Sequence, residues 1–199
     1  MTLDPITRRA VLKSLTMGAA VGSVLQVIPL EAAEYAHHMI EAEKAEAPGG
    51  VYTPKFFNAH LYKTLQVLCD TIIPADADSG GAVEGGAPEF IDLLTSENAE
   101  YQVKLGGGLA WLDSTCISRY GKAYLDCSPG QQKEILDQIA FRKNAAQGEE
   151  MAHAVEFFAL LRTMTADGFF TSKIGIKYLG YKGNTYLPEF PGCPPVPGV

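Results

Sequence analysis

Apolar residues recur at the helical period through most of the chain. Phe57, Leu61, Leu65 and Leu68 lie three or four positions apart, which places them on one face of a helix. The same spacing returns in three later segments, residues 109–120, 131–140 and 149–164. No segment alternates β-branched and polar residues in the way typical of a strand. The pattern therefore predicts an all-α fold, a small orthogonal helical domain with an extended C-terminal tail.

Capping residues mark where these helices should begin and end. Thr53-Pro54 and Ser128-Pro129 each combine an N-cap residue with proline at the first helical position, so we expect a helix to start at each pair. Gly121 is expected to end an earlier helix as its left-handed C′ residue.

Two glycine-rich segments interrupt the helical pattern. Gly106-Gly107-Gly108 would cost a continuous helix about 2–3 kcal/mol relative to alanine. The run therefore indicates either a break or a close approach by another backbone. Residues 75–86, mostly Asp, Ser, Gly and Ala, form a loop long enough to be a candidate contact surface.

The first thirty residues have the pattern of an export signal. A basic pair precedes a mildly apolar run, residues 15–30, that is shorter and less apolar than the ~20 consecutive apolar residues that span a bilayer. The segment resembles the twin-arginine motif, with Val11 where that motif usually has Phe. The residues that carry the motif are Arg8, Arg9, Leu12 and Lys13. An amphipathic N-terminal helix is the alternative interpretation.

The twin-arginine interpretation predicts recognition by the twin-arginine translocase and a location in the periplasm. That route exports proteins already folded in the cytoplasm, often after a cofactor has been inserted. We therefore assign residues 1–33 to the signal region.

The remaining chain divides into three predicted segments. Residues 34–50, rich in Ala and Glu, favour a helix or a solvated spacer that ends at Pro48-Gly49-Gly50. Adjacent histidines point to different faces of a helix, so His37 and His38 are predicted to be surface residues rather than ligands of one metal. Residues 51–167 form the helical domain, and residues 168–199 form the tail.

The tail combines aromatic residues with a proline-dense end. Residues 188–199 contain five prolines and cannot form a helix or a central strand, which predicts an extended conformation. Aromatic residues on such a segment favour burial against another subunit, although packing on the chain's own helices is the alternative. The candidate interface residues are Phe169, Phe170, Tyr178, Tyr181, Asn184, Tyr186, Phe190 and Pro191.

Composition excludes some classes of protein. The chain has 199 residues, of which 47% are hydrophobic, so it can bury a core. A net charge of −7 argues against nucleic-acid binding, since the chain could not neutralise a row of phosphates.

Four cysteines, Cys69, Cys116, Cys127 and Cys193, are even in number and are predicted to reach an oxidising compartment. The cysteine spacing contains no CxxC or CxxCH motif. It does not decide whether the cysteines form disulfides, remain buried thiols or bind a metal. We predict that at least one disulfide forms, with Cys116 and Cys127 the simplest pair because the loop between them is short and contains Gly121.

Motifs for catalysis, cofactor binding and resident metals do not emerge. The sequence contains no GxSxG, HExxH or Walker loop. His60 and His153 are predicted to be structural histidines on helices. Asp70 and Asp167 are explained by capping or by solvation near helix ends. We therefore predict no catalytic, cofactor-binding or metal-binding residue in this chain.

Four features of the sequence occur together: the twin-arginine leader, Leu68-Cys69-Asp70-Thr71-Ile72-Ile73-Pro74, the acidic Gly/Ala loop, and the tail from Gly168-Phe169-Phe170-Thr171-Ser172 to Tyr178-Leu179-Gly180-Tyr181. This combination resembles the gluconate 2-dehydrogenase subunit 3 family. The likeness covers about residues 52–195. The resemblance implies a small accessory subunit of a periplasmic dehydrogenase of sugars, sugar acids or glucosides. The partner would be a large glucose–methanol–choline type flavoprotein with FAD, in some members with an iron–sulfur cluster, and a cytochrome c would accept the electrons.

These observations lead to one functional hypothesis and one alternative. The hypothesis is a non-catalytic small subunit that exports and stabilises an FAD-dependent dehydrogenase. The alternative is a free-standing periplasmic redox or metal-binding protein that uses the four cysteines.

Overall fold

The computed structural model describes residues 29–183, which fold into eight α-helices with no strand among them. The helices are α1 Leu30–Glu46, α2 Ala59–Ile72, α3 Ala87–Glu97, α4 Ala99–Tyr101, α5 Gly107–Tyr120, α6 Pro129–Ile139, α7 Glu149–Phe170 and α8 Lys173–Tyr178. A π-helical segment, Gln102–Gly106, joins α4 to α5, and short 3-10 turns lie at Pro48–Gly50, Tyr124–Asp126 and Arg142–Gln147. The predicted all-α fold is confirmed.

Helix α3 lies at the centre of the domain and packs against α1, α2 and α7. Eight of its eleven residues are buried. Phe90 and Ile91 are fully buried, as is the polar residue Asp92. A helix that is buried on nearly every face must be surrounded by other elements, which explains why α1, α2 and α7 are arranged around α3.

The Asp92 carboxylate anchors the segment that precedes α2. One oxygen accepts hydrogen bonds from the Tyr52 hydroxyl at 2.9 Å and the Lys55 backbone N–H at 2.6 Å. The other accepts from the backbone N–H groups of Phe56 at 3.2 Å and Phe57 at 3.0 Å. Four donors therefore satisfy a carboxylate that is completely buried, which is the condition under which such a group is tolerated in a core.

This anchor explains why the predicted start of α2 was wrong. The helix begins at Ala59 rather than at Thr53-Pro54, and Asn58 caps it by accepting the Leu61 backbone N–H at 2.9 Å. The backbone N–H groups of residues 55–57 are bound to Asp92, so this segment is held as a bend in front of the helix.

Helix α1 belongs to the folded domain, in contrast to the predicted spacer. Ala33, Ala36 and Ile40 join the main hydrophobic core, and small alanine side chains allow the helix to approach α3 closely. The Lys44 ammonium lies 2.9 Å from the Glu89 carboxylate of α3. Residues 48–50 therefore form a turn within one core, not the predicted boundary of the domain.

The glycine run 106–108 does not break the helix. Gly106 and Gly107 have helical dihedral angles, with φ of −62° and −63°. Gly108 faces Phe157 of α7, and a Cβ atom at position 108 would lie 2.0 Å from its ring. The close approach expected from the sequence exists, but the approaching group is a side chain rather than a backbone.

Two predicted caps are confirmed. Gly121 ends α5 in the left-handed region, with φ of 74°, and donates its N–H to the Ile117 carbonyl at 2.9 Å. Ser128 starts α6 with a capping box, in which Ser128 and Gln131 each bind the other's backbone N–H.

The C-terminal part of the described chain is more helical than expected. Gly168–Phe170 continues α7, and Lys173–Tyr178 forms α8, so the predicted extended tail does not begin at residue 168. Gly168 allows α7 to continue close against α3, because a Cβ atom at this position would lie only 3.0–3.2 Å from atoms of Ala87 and Phe90. Among the described helices, none is long and apolar enough to cross a membrane.

We predict that Asp92→Asn lowers the free energy of unfolding by about 3 kcal/mol or more. An amide replaces one acceptor oxygen with a donor, which leaves buried backbone N–H groups unpaired. The exposed Asp70→Asn on α2 is the matched control and should change stability by less than about 0.5 kcal/mol. Urea unfolding followed by circular dichroism measures both, and equal stabilities for the two variants would contradict the anchoring role.

Two neighbouring glycines should respond in opposite directions to alanine. Gly108→Ala forces a methyl group into the Phe157 ring and should destabilise the fold by about 1–3 kcal/mol. Gly107 has helical dihedral angles, and no atom lies within 4 Å of the position that a methyl group would take, so Gly107→Ala should stabilise by about 0.5–1 kcal/mol. Thermal unfolding of the two variants beside the wild type checks the sign of each change, and a shift of the same sign in both would contradict the packing.

Candidate functional site

An exposed apolar surface lies where α7 meets α8. We call it the C-terminal corner and define it as Phe170, Ile176, Tyr178, Leu179 and Tyr181. Tyr178, Leu179 and Tyr181 are 50–58% exposed, while Phe170 and Ile176 are 38% and 36% exposed. Large apolar side chains grouped at one end of a molecule are typical of a contact surface for another protein.

The corner is built on a buried phenylalanine. Phe169 is 1% exposed, and its ring contacts that of Phe170 edge-on, with centroids 5.1 Å apart. Gly85, at the end of the loop 75–86, lies against the Phe169 ring, where a Cβ would come within 2.9 Å. Phe169 is therefore a core residue that supports the corner, which corrects its prediction as an interface residue.

Helix α8 is fixed in position by two short-range features. The Ser172 hydroxyl accepts the Gly175 backbone N–H at 3.1 Å and so caps the helix. A Cβ at Gly175 would lie 2.1 Å from the Phe169 carbonyl oxygen, so glycine is required for α8 to turn tightly against the end of α7.

Two polar contacts from α1 hold the same corner. The His37 Nε2 atom lies 2.9 Å from the Thr171 hydroxyl, and the Glu41 carboxylate lies 2.6 Å from the Lys173 ammonium. We call this pair of contacts the α1 clamp. It ties α1, whose first four residues overlap the end of the predicted signal region 1–33, to the turn between α7 and α8.

His37 is partly buried rather than a surface residue, which corrects the prediction for this position. Its ring stacks on Phe90, with centroids 5.2 Å apart and an interplanar angle of 23°. Burial is the main cause that lowers the pKa of His37, while the nearby Glu41 carboxylate acts in the opposite direction. His38 on the next position is exposed, as predicted.

One comparison with known proteins identifies a family for this chain. Residues 59–192 match the family model described as Gluconate 2-dehydrogenase subunit 3. The chain belongs to the gluconate 2-dehydrogenase subunit 3 family. The matched range includes every residue of the C-terminal corner. Comparisons with curated proteins and with solved structures gave no match.

The other predicted interface residues of this subunit 3 chain have different outcomes. Phe170, Tyr178 and Tyr181 are exposed residues of the corner. Ile176 and Leu179 belong to the corner too but were not predicted, because the short helix α8 was not expected. The predicted residues outside the described range are Arg8, Arg9, Leu12, Lys13, Asn184, Tyr186, Phe190, Pro191 and Cys193.

Histidine and carboxylate pairs in the described residues have structural contacts. The His60 ring lies 2.6 Å from the Asp113 carboxylate, whose other oxygen accepts the Tyr124 backbone N–H at 3.0 Å. This bears out His60 as a hydrogen-bonded structural histidine that links α2 to α5. His153 is exposed on α7. Within residues 29–183, no three His, Cys, Asp or Glu residues are grouped to hold a metal ion.

Three of the four cysteines lie in the described residues and are buried thiols. The Cys69 sulfur lies 3.6 Å from the Thr165 hydroxyl, and burial raises the pKa of its thiol to about 12. Burial and then the neighbouring Cys127 thiol raise the pKa of Cys116 to about 12. The Cys127 sulfur lies 3.9 Å from the Lys122 carbonyl oxygen. The disulfide between Cys116 and Cys127 stays a prediction.

The second half of the loop 75–86 is packed on the domain, whereas residues 75–78 are exposed. The Ala82 backbone N–H donates to the Ile73 carbonyl at 2.8 Å, and Ala82 is fully buried. An open groove of about 370 Å³ lies between the loop and α2. Its polar lining residues are Lys63, Gln66, Asp70 and Glu84. The loop remains a candidate contact surface, and its inner side supports the corner through Gly85.

Asp167 has an unusual environment for a carboxylate. It lies in the last turn of α7, near the helix end as predicted, but its Oδ2 atom is buried with no hydrogen-bond partner among the described residues. Burial raises the pKa of Asp167 from the ordinary value of 3.8 to about 6. Burial of one carboxylate oxygen, which neither capping nor full solvation explains, therefore distinguishes this side chain from the prediction.

We predict that Asp167→Asn stabilises the subunit at neutral pH but not in acid. The folded-state pKa is raised, so protonation of Asp167 favours the fold below about pH 4, and this contribution is lost as the pH rises to about 6. Because Asp167 is partly exposed, we expect a gain of about 1 kcal/mol at pH 7 that disappears near pH 4. Urea unfolding across this range measures it, and a pH-independent difference would contradict the titration.

Proposed function

We propose that this chain is the non-catalytic small subunit of a periplasmic FAD-dependent dehydrogenase of sugars or glucosides. The family match shows a gluconate 2-dehydrogenase subunit 3-like accessory protein. The observation that carries the finer proposal is the C-terminal corner, a set of exposed apolar side chains within the matched range that lies next to the buried residue Phe169. Such a surface suits a permanent partner subunit.

The proposed partner is a large flavoprotein of the glucose–methanol–choline type. In this complex the FAD, and in some cases an iron–sulfur cluster, would belong to the partner, and a cytochrome c would take the electrons. The small subunit would contribute docking area and stability to the flavoprotein. Aromatic anchors such as Tyr178 suit that role, because a rigid ring buries a large area at a small cost in conformational entropy.

The contacts beneath the corner support docking. Phe169 below it, Gly175 within it and the α1 clamp beside it place α8 against the end of α7. A preformed surface loses less conformational entropy on association than a flexible one. The extended segment that we predict after residue 183 would add to the same interface.

Export is the second part of the proposal. The twin-arginine motif at Arg8 and Arg9 would be read by the twin-arginine translocase, and a flavoprotein loaded with FAD in the cytoplasm would be carried out as its folded companion. The small subunit would then act as both assembly factor and export tag for the complex.

The docking proposal predicts that Tyr178→Ser combined with Leu179→Ser weakens binding of the flavoprotein by at least about tenfold. The double variant removes two of the most exposed apolar side chains of the corner and should leave the helical domain folded. The matched control is Val103→Ser combined with Ile117→Ser, which changes two apolar residues that are 74% and 55% exposed on other parts of the surface.

Co-purification and titration of the two purified subunits measure the effect. An unchanged dissociation constant for the corner variant, or an equal loss in the control, would contradict docking at this surface. Visible absorbance of a flavin, haem or cluster in the small subunit purified alone would instead favour the free-standing redox protein.

The export proposal predicts that Arg8→Lys combined with Arg9→Lys retains both subunits in the cytoplasm. Lysine keeps the positive charge but lacks the planar guanidinium group, so a loss of export would follow from the arginine pair and not from charge alone. Cell fractionation with an activity assay for the dehydrogenase provides the measurement. Dehydrogenase activity that still reaches the periplasm would refute export by this subunit.

A further inference from the structure

We propose that Cys116 and Cys127 form a redox pair that closes to a disulfide after the chain has folded. Cys116 lies in the last turns of α5, and Cys127 directly precedes Ser128, the N-cap residue of α6. The bond would connect the end of one helix to the start of the next. Both residues are buried, with exposed fractions of 0% and 7%.

The packing selects this pair among the described cysteines. Asp113, one turn before Cys116 on α5, accepts the Tyr124 backbone N–H at 3.0 Å, and Tyr124 lies three positions before Cys127. Cys116 and Cys127 are both buried in the same hydrophobic core, and the Cys127 sulfur lies 3.9 Å from the Lys122 carbonyl oxygen. The neighbouring Cys127 thiol also raises the pKa of Cys116. The Cys69 sulfur on α2 instead contacts the Thr165 hydroxyl of α7 at 3.6 Å. The reduced fold therefore places two cysteines that are eleven positions apart on facing segments of one core.

The connection between the two cysteines is ordered by contacts that do not involve sulfur. Gly121 turns the chain in the left-handed region, and the fully buried Tyr124 ring fixes the loop. The Tyr124 backbone N–H donates to Asp113 at 3.0 Å, and the Tyr124 carbonyl accepts from the Gln132 side chain at 2.9 Å. The Cys127 N–H also donates to the Tyr124 carbonyl at 3.1 Å. These bonds position Cys127 before oxidation.

The chemistry is a thiol–disulfide exchange with an oxidised dithiol oxidoreductase or a small-molecule disulfide. Cys127, the less buried thiol, is deprotonated and attacks the disulfide of the oxidant, which forms a mixed disulfide and releases one thiol of the oxidant. Cys116 then attacks the Cys127 sulfur and displaces the second thiol. Two electrons and two protons pass from the cysteine pair to the oxidant, which leaves as its dithiol or as two thiols.

The order of events gives the pair a function. The reduced form is compatible with the complete fold, so the chain can fold in a reducing compartment and be cross-linked later without rearrangement. In the cell this sequence rests on the proposed export, but the reactivity of the pair does not. The cross-link would then stabilise the domain once the chain has left the reducing compartment.

Two oxidation experiments on the purified chain test the proposal without any partner. In the first, the folded, reduced chain is incubated in native buffer with oxidised glutathione. In the second, the unfolded, reduced chain is refolded in a glutathione redox buffer. Both samples are denatured and alkylated, and their linkages are mapped on non-reduced peptides. We expect a 116–127 linkage in both samples, with Cys69 alkylated.

Several outcomes overturn the proposal. A linkage of Cys116 or Cys127 to another cysteine, or full alkylation of both after refolding, would show that the two cysteines do not form a redox pair. A 116–127 linkage that forms on refolding but not in the folded chain refutes closure after folding. Neither result bears on docking to the flavoprotein, so failure here and failure of the proposed function remain distinguishable.

Thermal unfolding gives a second measurement with matched variants. Closing a loop of this length should raise the unfolding midpoint of the oxidised wild type by about 6–12 °C over the reduced form. The shift should disappear in Cys116→Ala and persist in Cys69→Ala, which removes a thiol from an equally buried site. A shift that persists in Cys116→Ala would assign the effect to a different bond.

Discussion

The buried Asp92 carboxylate is the interaction on which the arrangement of the domain depends. A charged group in a core is costly unless its hydrogen-bonding capacity is used, and Asp92 accepts four donors from the segment 52–57. Because Asp92 lies on the central helix α3, these bonds join the approach to α2 to the middle of the molecule. Tyr52 and Phe57 are buried as a result, and the path from α1 to α2 has one defined course across α3.

The second constraint is the packing of α1, which brings the two ends of the described chain together. Small residues on α1 allow it to lie close to α3, and the α1 clamp then reaches the turn between α7 and α8. Lys44 adds an ion pair to Glu89 in the first turn of α3. The apolar corner is consequently supported by α1 as well as by α7, although these helices are far apart in sequence.

The contrast between predicted and observed elements follows from the range of the interactions that decide them. Helices whose boundaries depend on nearby residues were predicted correctly, as at Ser128 and Gly121, because capping acts within a few positions. The start of α2 could not be predicted, since Asp92 lies far along the chain and competes for the N–H groups of residues 55–57. Phe169 shows the same limit: its aromatic character indicated a contact, but Gly85 and the turn into α8 decide that the contact is internal.

The candidate surface could be predicted in location but not in composition. Aromatic residues at 170, 178 and 181 indicated the segment, whereas the exposed residues Ile176, within α8, and Leu179, at its C-terminal end, were not predicted. The clamp residues His37 and Glu41 carry no sequence signal for this role, because an exposed charged residue on an Ala- and Glu-rich helix is ordinarily solvated.

The connection between α1 and the corner has a consequence for assembly. Helix α1 must be folded onto α3 before His37 and Glu41 can reach Thr171 and Lys173. The corner is therefore complete when the N-terminal helix, the central helix and the C-terminal turn have all formed. A partner that binds this corner would select folded small subunits, because an unfolded chain cannot present the same side chains in the same positions. If the complex is exported in folded form, as we propose, the same contacts between α1, α3 and the C-terminal turn would be needed for docking and for export.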